Sequence, residues 1–307
     1  MKSAKPKICV VGSLMTDLVF RVERLPQPGE SMPGKEFGLF LGGKGFNQAL
    51  ACHRLGAEVT MVGRVGRDYF AGLFLQKLAE EGMRADFIFQ DDEVGTGVAC
   101  PIIDDSGQNA IIGIGRANMR IDLSQVEAAR EEIESADVLM LQFEIPYPVS
   151  RRAAQIAKAS GAIVLLDPAP IHNAGVLISE EVDFIVPNEI EARALAQSQP
   201  VELWAEAEVK AGRSGVVISL GAEGALVFDQ QGRRQFPAFP VQPVDSTGAG
   251  DAFRAGLAVS LAEGKGIDQS VRFANACGAL ACTVLGAEPS MPRRDRVERF
   301  LREQEAA

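Results

Sequence analysis

The stretch Ile163-Val164-Leu165-Leu166-Asp167, with Asp183-Phe184-Ile185-Val186-Pro187-Asn188 after it, decides the fold. Each is a short, continuous apolar run that ends on a polar residue. Unbroken runs belong to strands covered on both faces, as in parallel sheets, whereas alternating runs belong to half-exposed ones. The same signature recurs at ICVVG (8–12), VTMVG (59–63), VLMLQ (138–142) and VVISLG (216–221). Amphipathic segments lie between them near 45–55, 69–81, 124–135, 149–159, 189–196 and 202–211, and the last third reads as helices at 250–263, 268–285 and 293–303. Repeated strand–helix units with right-handed crossovers predict an α/β fold with a doubly wound, mostly parallel central sheet flanked by helices.

Two regions leave that rhythm. Residues 18–40 (LVFRVERLPQPGESMPGKEFGLF) are too long for a turn and contain three prolines. Residues 95–116 read as a hairpin, with Asp104-Asp105-Ser106-Gly107 as its turn. Paired together they predict a small β-sheet lid over the ligand edge of the main sheet. All of 1–307 is expected to form one domain.

Composition excludes several function classes. With 31 basic and 41 acidic residues the net charge is −10, which argues against a broad nucleic-acid surface but leaves room for a local phosphate pocket. The longest uncharged, mostly apolar stretch, Phe273 to Ala287, is shorter than the ~20 residues a membrane-spanning helix needs. No signal-peptide pattern opens the chain, so a cytoplasmic protein is expected. Five cysteines (Cys9, Cys52, Cys100, Cys277, Cys282) form no C-x-x-C pair and have only His53 and His172 to join them, which fits reduced, packed thiols and no zinc site. The fingerprints of nicotinamide dinucleotide sites and of serine hydrolases are missing.

Four motifs carry chemistry. Asp245-Ser246-Thr247-Gly248-Ala249-Gly250-Asp251 opens the apolar helix AFRAGLAVSLA. Its glycines allow a tight turn, the free amides and dipole of the helix start form an anion hole, and Asp251 beside that hole is a candidate base for a substrate hydroxyl. A plain acidic helix cap is the alternative. Gly42-Gly43-Lys44-Gly45, with Asn47, resembles a Walker loop but has Gly45 where magnesium needs a hydroxyl, so Lys44 and Asn47 are read instead as partners of a hydroxyl-rich ligand. Asn188 and Glu191 share a helix face and could hold hydrated Mg²⁺ or could simply form a capping box. Ser219-Leu220-Gly221-Ala222-Glu223-Gly224 is a glycine-rich loop at a strand end, where open α/β sheets bind ligands.

The Gly42–Ala49 and Asp245–Asp251 blocks, in this order and with the other two motifs between them, resemble the two signatures of the ribokinase-like (PfkB) carbohydrate kinases. The resemblance spans essentially the whole chain. It implies transfer of the γ-phosphoryl of ATP to the primary hydroxyl of a pentose, D-ribose foremost, with a ribonucleoside, ketohexose or keto-deoxy sugar acid as alternatives. Asp251 would be the base and the amides of Gly248, Ala249 and Gly250 the anion hole. Asp17, Gly43, Lys44, Asn47 and Glu144 would hold the sugar, and Asn188, Ser219, Gly221, Gly224 and Asn275 would contact ATP. Glu191 would support Mg²⁺ indirectly. A K⁺ ion would sit among Asp245, Thr247, Ala281, Val284, Gly286 and Ser290. A homodimer through the lid would also fit. Met15 and Phe46 depart from the family, which usually has Asn and a small residue there; both changes could favour apolar substrate surface or be core packing.

Overall fold

The continuous apolar runs become the middle of a sheet with both faces buried. In the computed structural model, which describes residues 5–106, 108–171 and 178–306, the strands are β1 (Lys7–Val11), β2 (Met15–Arg21), β3 (Glu36–Gly42), β4 (Glu58–Gly66), β5 (Ile88–Asp91), β6 (Gly97–Ile103), β7 (Asn109–Ile114), β8 (Val138–Gln142), β9 (Ile163–Asp167), β10 (Phe184–Ile185), β11 (Gly215–Ser219), β12 (Ala225–Asp229) and β13 (Gly232–Phe236). The helices are α1 (Lys44–Arg54), α2 (Tyr69–Glu81), α3 (Leu123–Ala128), α4 (Arg130–Glu134), α5 (Tyr147–Ala159), α6 (Glu189–Ala196), α7 (Val201–Lys210), α8 (Ala249–Ala262), α9 (Ile267–Ala281), α10 (Ala287–Ser290) and α11 (Arg294–Ala306).

Among the described residues the main sheet has nine strands in the order β13-β12-β11-β10-β9-β8-β1-β4-β5. Pairing is parallel from β5 to β11, and β12 and β13 add an antiparallel edge. Alternate residues serve opposite layers. Ile8, Val10, Val138 and Met140 pack toward α1, α2, α8, α9 and α11, whereas Cys9, Val11, Leu139 and Leu141 pack toward α3 to α7. At about 1.5–3 kcal/mol per fully buried large aliphatic side chain, this two-sided burial is what holds the layers together. The winding reverses between β1 and β8, so the carboxyl ends of β1, β8 and β9 open onto the crevice where such sheets bind ligands.

Several expectations shift at their edges. Of 183–188 only Phe184–Ile185 is strand, because Pro187 has no N–H to continue the ladder. The helix expected over 124–135 breaks at Ala129 into α3 and α4, and the one over 268–285 ends at Ala281. β5 and the β12–β13 hairpin were not anticipated.

Segments 18–40 and 95–116 do pair, in a second sheet of order β3-β2-β6-β7. The Asp104 carboxylate accepts from Ser106 N–H (2.9 Å) and hydroxyl (2.6 Å) and from Gln108 N–H (3.0 Å) to close the β6–β7 turn. Gly107 of that turn, and His172, lie outside the described residues. The register puts Met15, Asp17, Phe40 and Gly113 on one face, and Leu18, Phe20, Phe37, Leu39, Ile112 and Ile114 on the other. All five cysteines are free thiols, and among the described residues no helix is long and apolar enough to cross a membrane.

Candidate active site

Gly248 starts α8 in the left-handed region (φ 78°), and a Cβ there would lie 2.6 Å from Met291 Cε and 3.1 Å from Ala287 Cα. Only glycine meets both demands. Ala249 N–H turns to Ser246 O (3.1 Å) and Ala252 N–H to Gly248 O (2.9 Å). Of the three expected anion-hole amides, that of Ala249 is therefore shared with the turn. The remaining first-turn amides are those that a helix start leaves without acceptors, and they add to the positive end of the dipole. Asp251, in this first turn, is buried; its Oδ2 accepts from Asn47 Nδ2 (2.9 Å) and its Oδ1 from Gln48 Nε2 (3.0 Å). A mere cap would point its carboxylate back at its own helix; this one faces α1 across the crevice.

Both amides come from the start of α1, which is docked closely onto the end of β1. A Cβ on Gly45 would lie 2.5 Å from Ser13 N, and Gly43 takes φ 88°. The first turn of α1 brings Lys44 to a ring of carboxylates. Lys44 N–H donates to Glu144 Oε2 (2.9 Å), which the Ser13 hydroxyl also reaches, and its ammonium lies 3.4 Å from Asp167. Burial acts to lower the Lys44 pKa, but Asp167 and Asp251 outweigh it and hold the ammonium above its ordinary value. Burial pushes the Glu144 carboxyl up. Asp17, reaching in from β2 over Gly42, is pushed up to about 7 by burial and by the charges of Glu144 and Asp251. The five expected sugar residues and the base thus converge.

The expected ATP residues form a second, contiguous run. Asn188 bridges to Ser219, Leu220 N–H donates to Gly224 O (2.8 Å), Gly224 lies against Phe236 O and Asn275 Nδ2 donates to Pro237 O (3.1 Å). The capping box is formed: Asn188 N–H donates to Glu191 Oε2 (2.8 Å) and Glu191 N–H to Asn188 Oδ1 (2.8 Å). Asn188 Nδ2 takes the other Glu191 oxygen (2.9 Å), and Arg254 also reaches Oε2 (3.1 Å). With both oxygens engaged, Glu191 suits a hydrated ion held at a remove rather than direct ligation.

Asp245 joins the two halves of the expected cation loop. It accepts from Thr247 N–H (2.9 Å) and hydroxyl (2.7 Å) and from Gly286 N–H (2.8 Å), while Val284 N–H donates to Ala281 O (3.2 Å) and the Ser290 hydroxyl to Ala287 O (2.8 Å). Burial acts to raise its pKa, but the Gly286 and Thr247 bonds prevail and hold it below the usual carboxylate range. Carboxylate and backbone carbonyl oxygens are hard donors of the kind that oxygen-preferring cations take, and here both Asp245 oxygens already accept from the loop. No group of three or more His, Cys, Asp or Glu able to hold a metal occurs among the described residues.

Phe46 turns away from the crevice. It is fully buried and meets Phe74 edge-on at 4.9 Å, so it is core packing. Four residues of the site escaped the sequence reading: Gln48, Gln142, Asp167 and Arg254, all buried. A signal existed, because each is a polar side chain in or at the end of an apolar run.

Residues 5–294 match the profile of the pfkB family carbohydrate kinases. The chain belongs to this family. As a pfkB carbohydrate kinase it is a phosphotransferase with an alcohol group as acceptor. It is 36% identical to the ribokinase of Bacillus subtilis over 299 residues, 96% of this chain and 99% of that one. It is 29% identical to the deoxyribokinase of Salmonella typhi, over 96% and 98% of the two chains. The structure of Arabidopsis thaliana ribokinase complexed with ribose and ATP superposes with a TM-score of 0.86 at 32% identity, covering 97% of this chain and 99% of that one.

Proposed function

We propose that this carbohydrate kinase transfers the γ-phosphoryl of ATP to the primary hydroxyl of a pentose, D-ribose giving ribose 5-phosphate. The observation that carries the reading is Asp251, buried at the mouth of the glycine-capped α8 start and held by two side-chain amides from α1. Asp251 accepts the hydroxyl proton, the freed oxygen attacks the γ-phosphorus, the bond to the β-phosphate oxygen breaks, and ADP leaves. The Gly248–Gly250 amides steady the charge in transit, so catalysis is mainly positioning and electrostatics. Asp17, Gly43, Lys44, Asn47 and Glu144 orient the sugar. Asn188, Ser219, Gly221, Gly224 and Asn275 line the nucleotide edge. Mg²⁺ would be supported indirectly by Glu191 and would supply charge neutralisation on the phosphates. K⁺ would be held by Asp245, Thr247, Ala281, Val284, Gly286 and Ser290 and would supply positive charge to the site.

The second sheet serves as a lid within a single domain, and its outer face supports a homodimer in the cytoplasm. Phe37, Ile112 and Ile114 on that face are 61%, 64% and 57% exposed. An apolar sheet face of this extent calls for a cover, and a second copy supplies one of matching chemistry.

One observation favours a deoxypentose as a second reading. Met15 shares the inner lid face with Asp17. A thioether is a poor hydrogen-bond partner, so a hydroxyl meeting it goes unpaired, whereas a sugar lacking that hydroxyl loses nothing. The nucleoside alternative drew on Met15 and Phe46 together, and of the two Phe46 is in the core. The test is ADP release from Mg·ATP with D-ribose, 2-deoxy-D-ribose, hexoses and nucleosides, with and without K⁺. Turnover of a pentose, raised by K⁺, supports the proposal; absence of turnover across the panel refutes it. The deoxypentose reading stands if 2-deoxy-D-ribose has the higher kcat/KM and Met15→Asn reverses the order.

A further inference from the structure

A continuous string of buried polar side chains links the candidate base to the ends of β8 and β9 and back to α8. Gln48 Nε2 donates one hydrogen to Asp251 Oδ1 (3.0 Å) and the other to Asp167 Oδ2 (2.9 Å), while its Oε1 accepts from Gln142 Nε2 (2.7 Å). Asp167, fully buried at the end of β9, also has Lys44 Nζ 3.4 Å from Oδ2 and Arg254 Nη2 3.1 Å from Oδ1. The Arg254 contact is an ion pair rather than an aligned hydrogen bond. Arg254 lies one turn after Asp251 on α8, donates from Nε to Val186 O (2.9 Å), and reaches Glu191 Oε2 (3.1 Å).

We propose that Gln48 is a positioning residue for the base, its amide locked in one orientation by Asp167 and Gln142 so that Asp251 is held in its reactive rotamer. The inference rests on Asp251 being the base. An amide can occupy this place in only one sense: flipped, its oxygen would face two carboxylates and its NH₂ would face the Gln142 amide hydrogens. Both amide hydrogens and the amide oxygen of Gln48 are engaged in a fully buried site, where an unmade bond costs most, while Gln142 Oε1, Asp167 Oδ1 and Asn47 Oδ1 around it have no donor. Asn47 fixes the other Asp251 oxygen, so the two amides together settle the plane of the carboxylate and leave a lone pair for the hydroxyl. Asp167 in turn keeps its place through cations on two different elements, Lys44 on α1 and Arg254 on α8. The charged groups around the amide are Asp251 and Arg254 from α8, Asp167 from β9 and Lys44 from α1, with Asp17 and Glu144 acting on Asp251 from across the crevice.

The experiment compares Gln48→Met, Gln48→Glu and Asp251→Asn by steady-state kinetics, with a thermal melt of each. Gln48→Met keeps the length of the side chain and loses all three bonds; kcat falls about 10²-fold with the KM values for sugar and ATP unchanged, the cost of a misplaced reacting group. In Gln48→Glu the new carboxyl can donate again once protonated, so kcat rises as the pH is lowered, opposite to the wild type. If Gln48→Met does not fold, this pH dependence decides alone. A folded Gln48→Met with wild-type kcat, or a Gln48→Glu whose pH profile follows the wild type, overturns the proposal. Asp251→Asn separates the two claims. Its full activity would remove the base itself, whereas its inactivity beside an active Gln48→Met removes only the positioning role.

Discussion

Asp17→Asn should make the unliganded protein more stable while damaging catalysis. The Asp17 carboxyl reaches from β2 into a crevice that already holds Glu144 and Asp251, and its pKa rises from 3.8 to about 7. A raised carboxyl pKa means that the folded state retains a proton which the unfolded chain has released. Its folding penalty is absent below pH 4, grows between about 4 and 7, and is complete above 7. At about 1.4 kcal/mol per pH unit the full penalty is on the order of 4 kcal/mol, and partial solvation of Asp17 together with the polarity of the substituted amide brings the expected gain to roughly 2–3 kcal/mol. Urea unfolding from pH 4 to pH 8 without sugar measures it. The Asp17→Asn and wild-type curves should coincide near pH 4 and separate steadily, the variant being more stable at pH 8, while kcat/KM for the sugar falls. Equal stability at pH 8, or a gain independent of pH, would refute the argument.

Two further outcomes follow from packing. Phe46→Ala removes a fully buried ring and its edge-on contact with Phe74, and should cost about 3–5 kcal/mol in a denaturant titration with the sugar KM unchanged; a raised sugar KM without lost stability would place Phe46 in the crevice instead. The proposed homodimer predicts that Ile112→Glu, a charge placed on the exposed apolar face of the second sheet at its edge strand β7, lowers the sedimentation coefficient from that of a dimer to that of a monomer, whereas a coefficient unchanged by the substitution refutes this face as the contact.

The parts of the fold that could be read directly were those with one dominant signal. VLMLQ and IVLLD are strands residue for residue, because a two-sided apolar environment leaves no polar position to confuse the pattern. The edge hairpin was hidden for the opposite reason: GRRQF in β13 is half exposed and polar, and its strand character comes from pairing with β12. The break at Ala129 carries no glycine or proline to announce it. Asp251 and Asn47 were legible because glycines mark their turns. Asp167, Gln142 and Arg254 were not, because only the fold brings them together: Asp167 and Gln142 meet Gln48 from more than ninety residues away in the chain, and Arg254 on α8 meets Asp167 at the end of β9. Phe46 shows the converse. A departure inside a binding motif points toward a ligand in sequence, yet the helix geometry turns it one face round, into the core.

The central claim is that Asp251 removes the hydroxyl proton beside the α8 anion hole. Asp251→Asn measures it most directly, by turnover and by titration calorimetry with a non-hydrolysable ATP analogue. The account predicts a fall in kcat of about 10²–10⁴-fold, the usual worth of a general base, with nucleotide affinity retained. Retained turnover, or a loss of nucleotide binding that matches the loss of turnover, would contradict it.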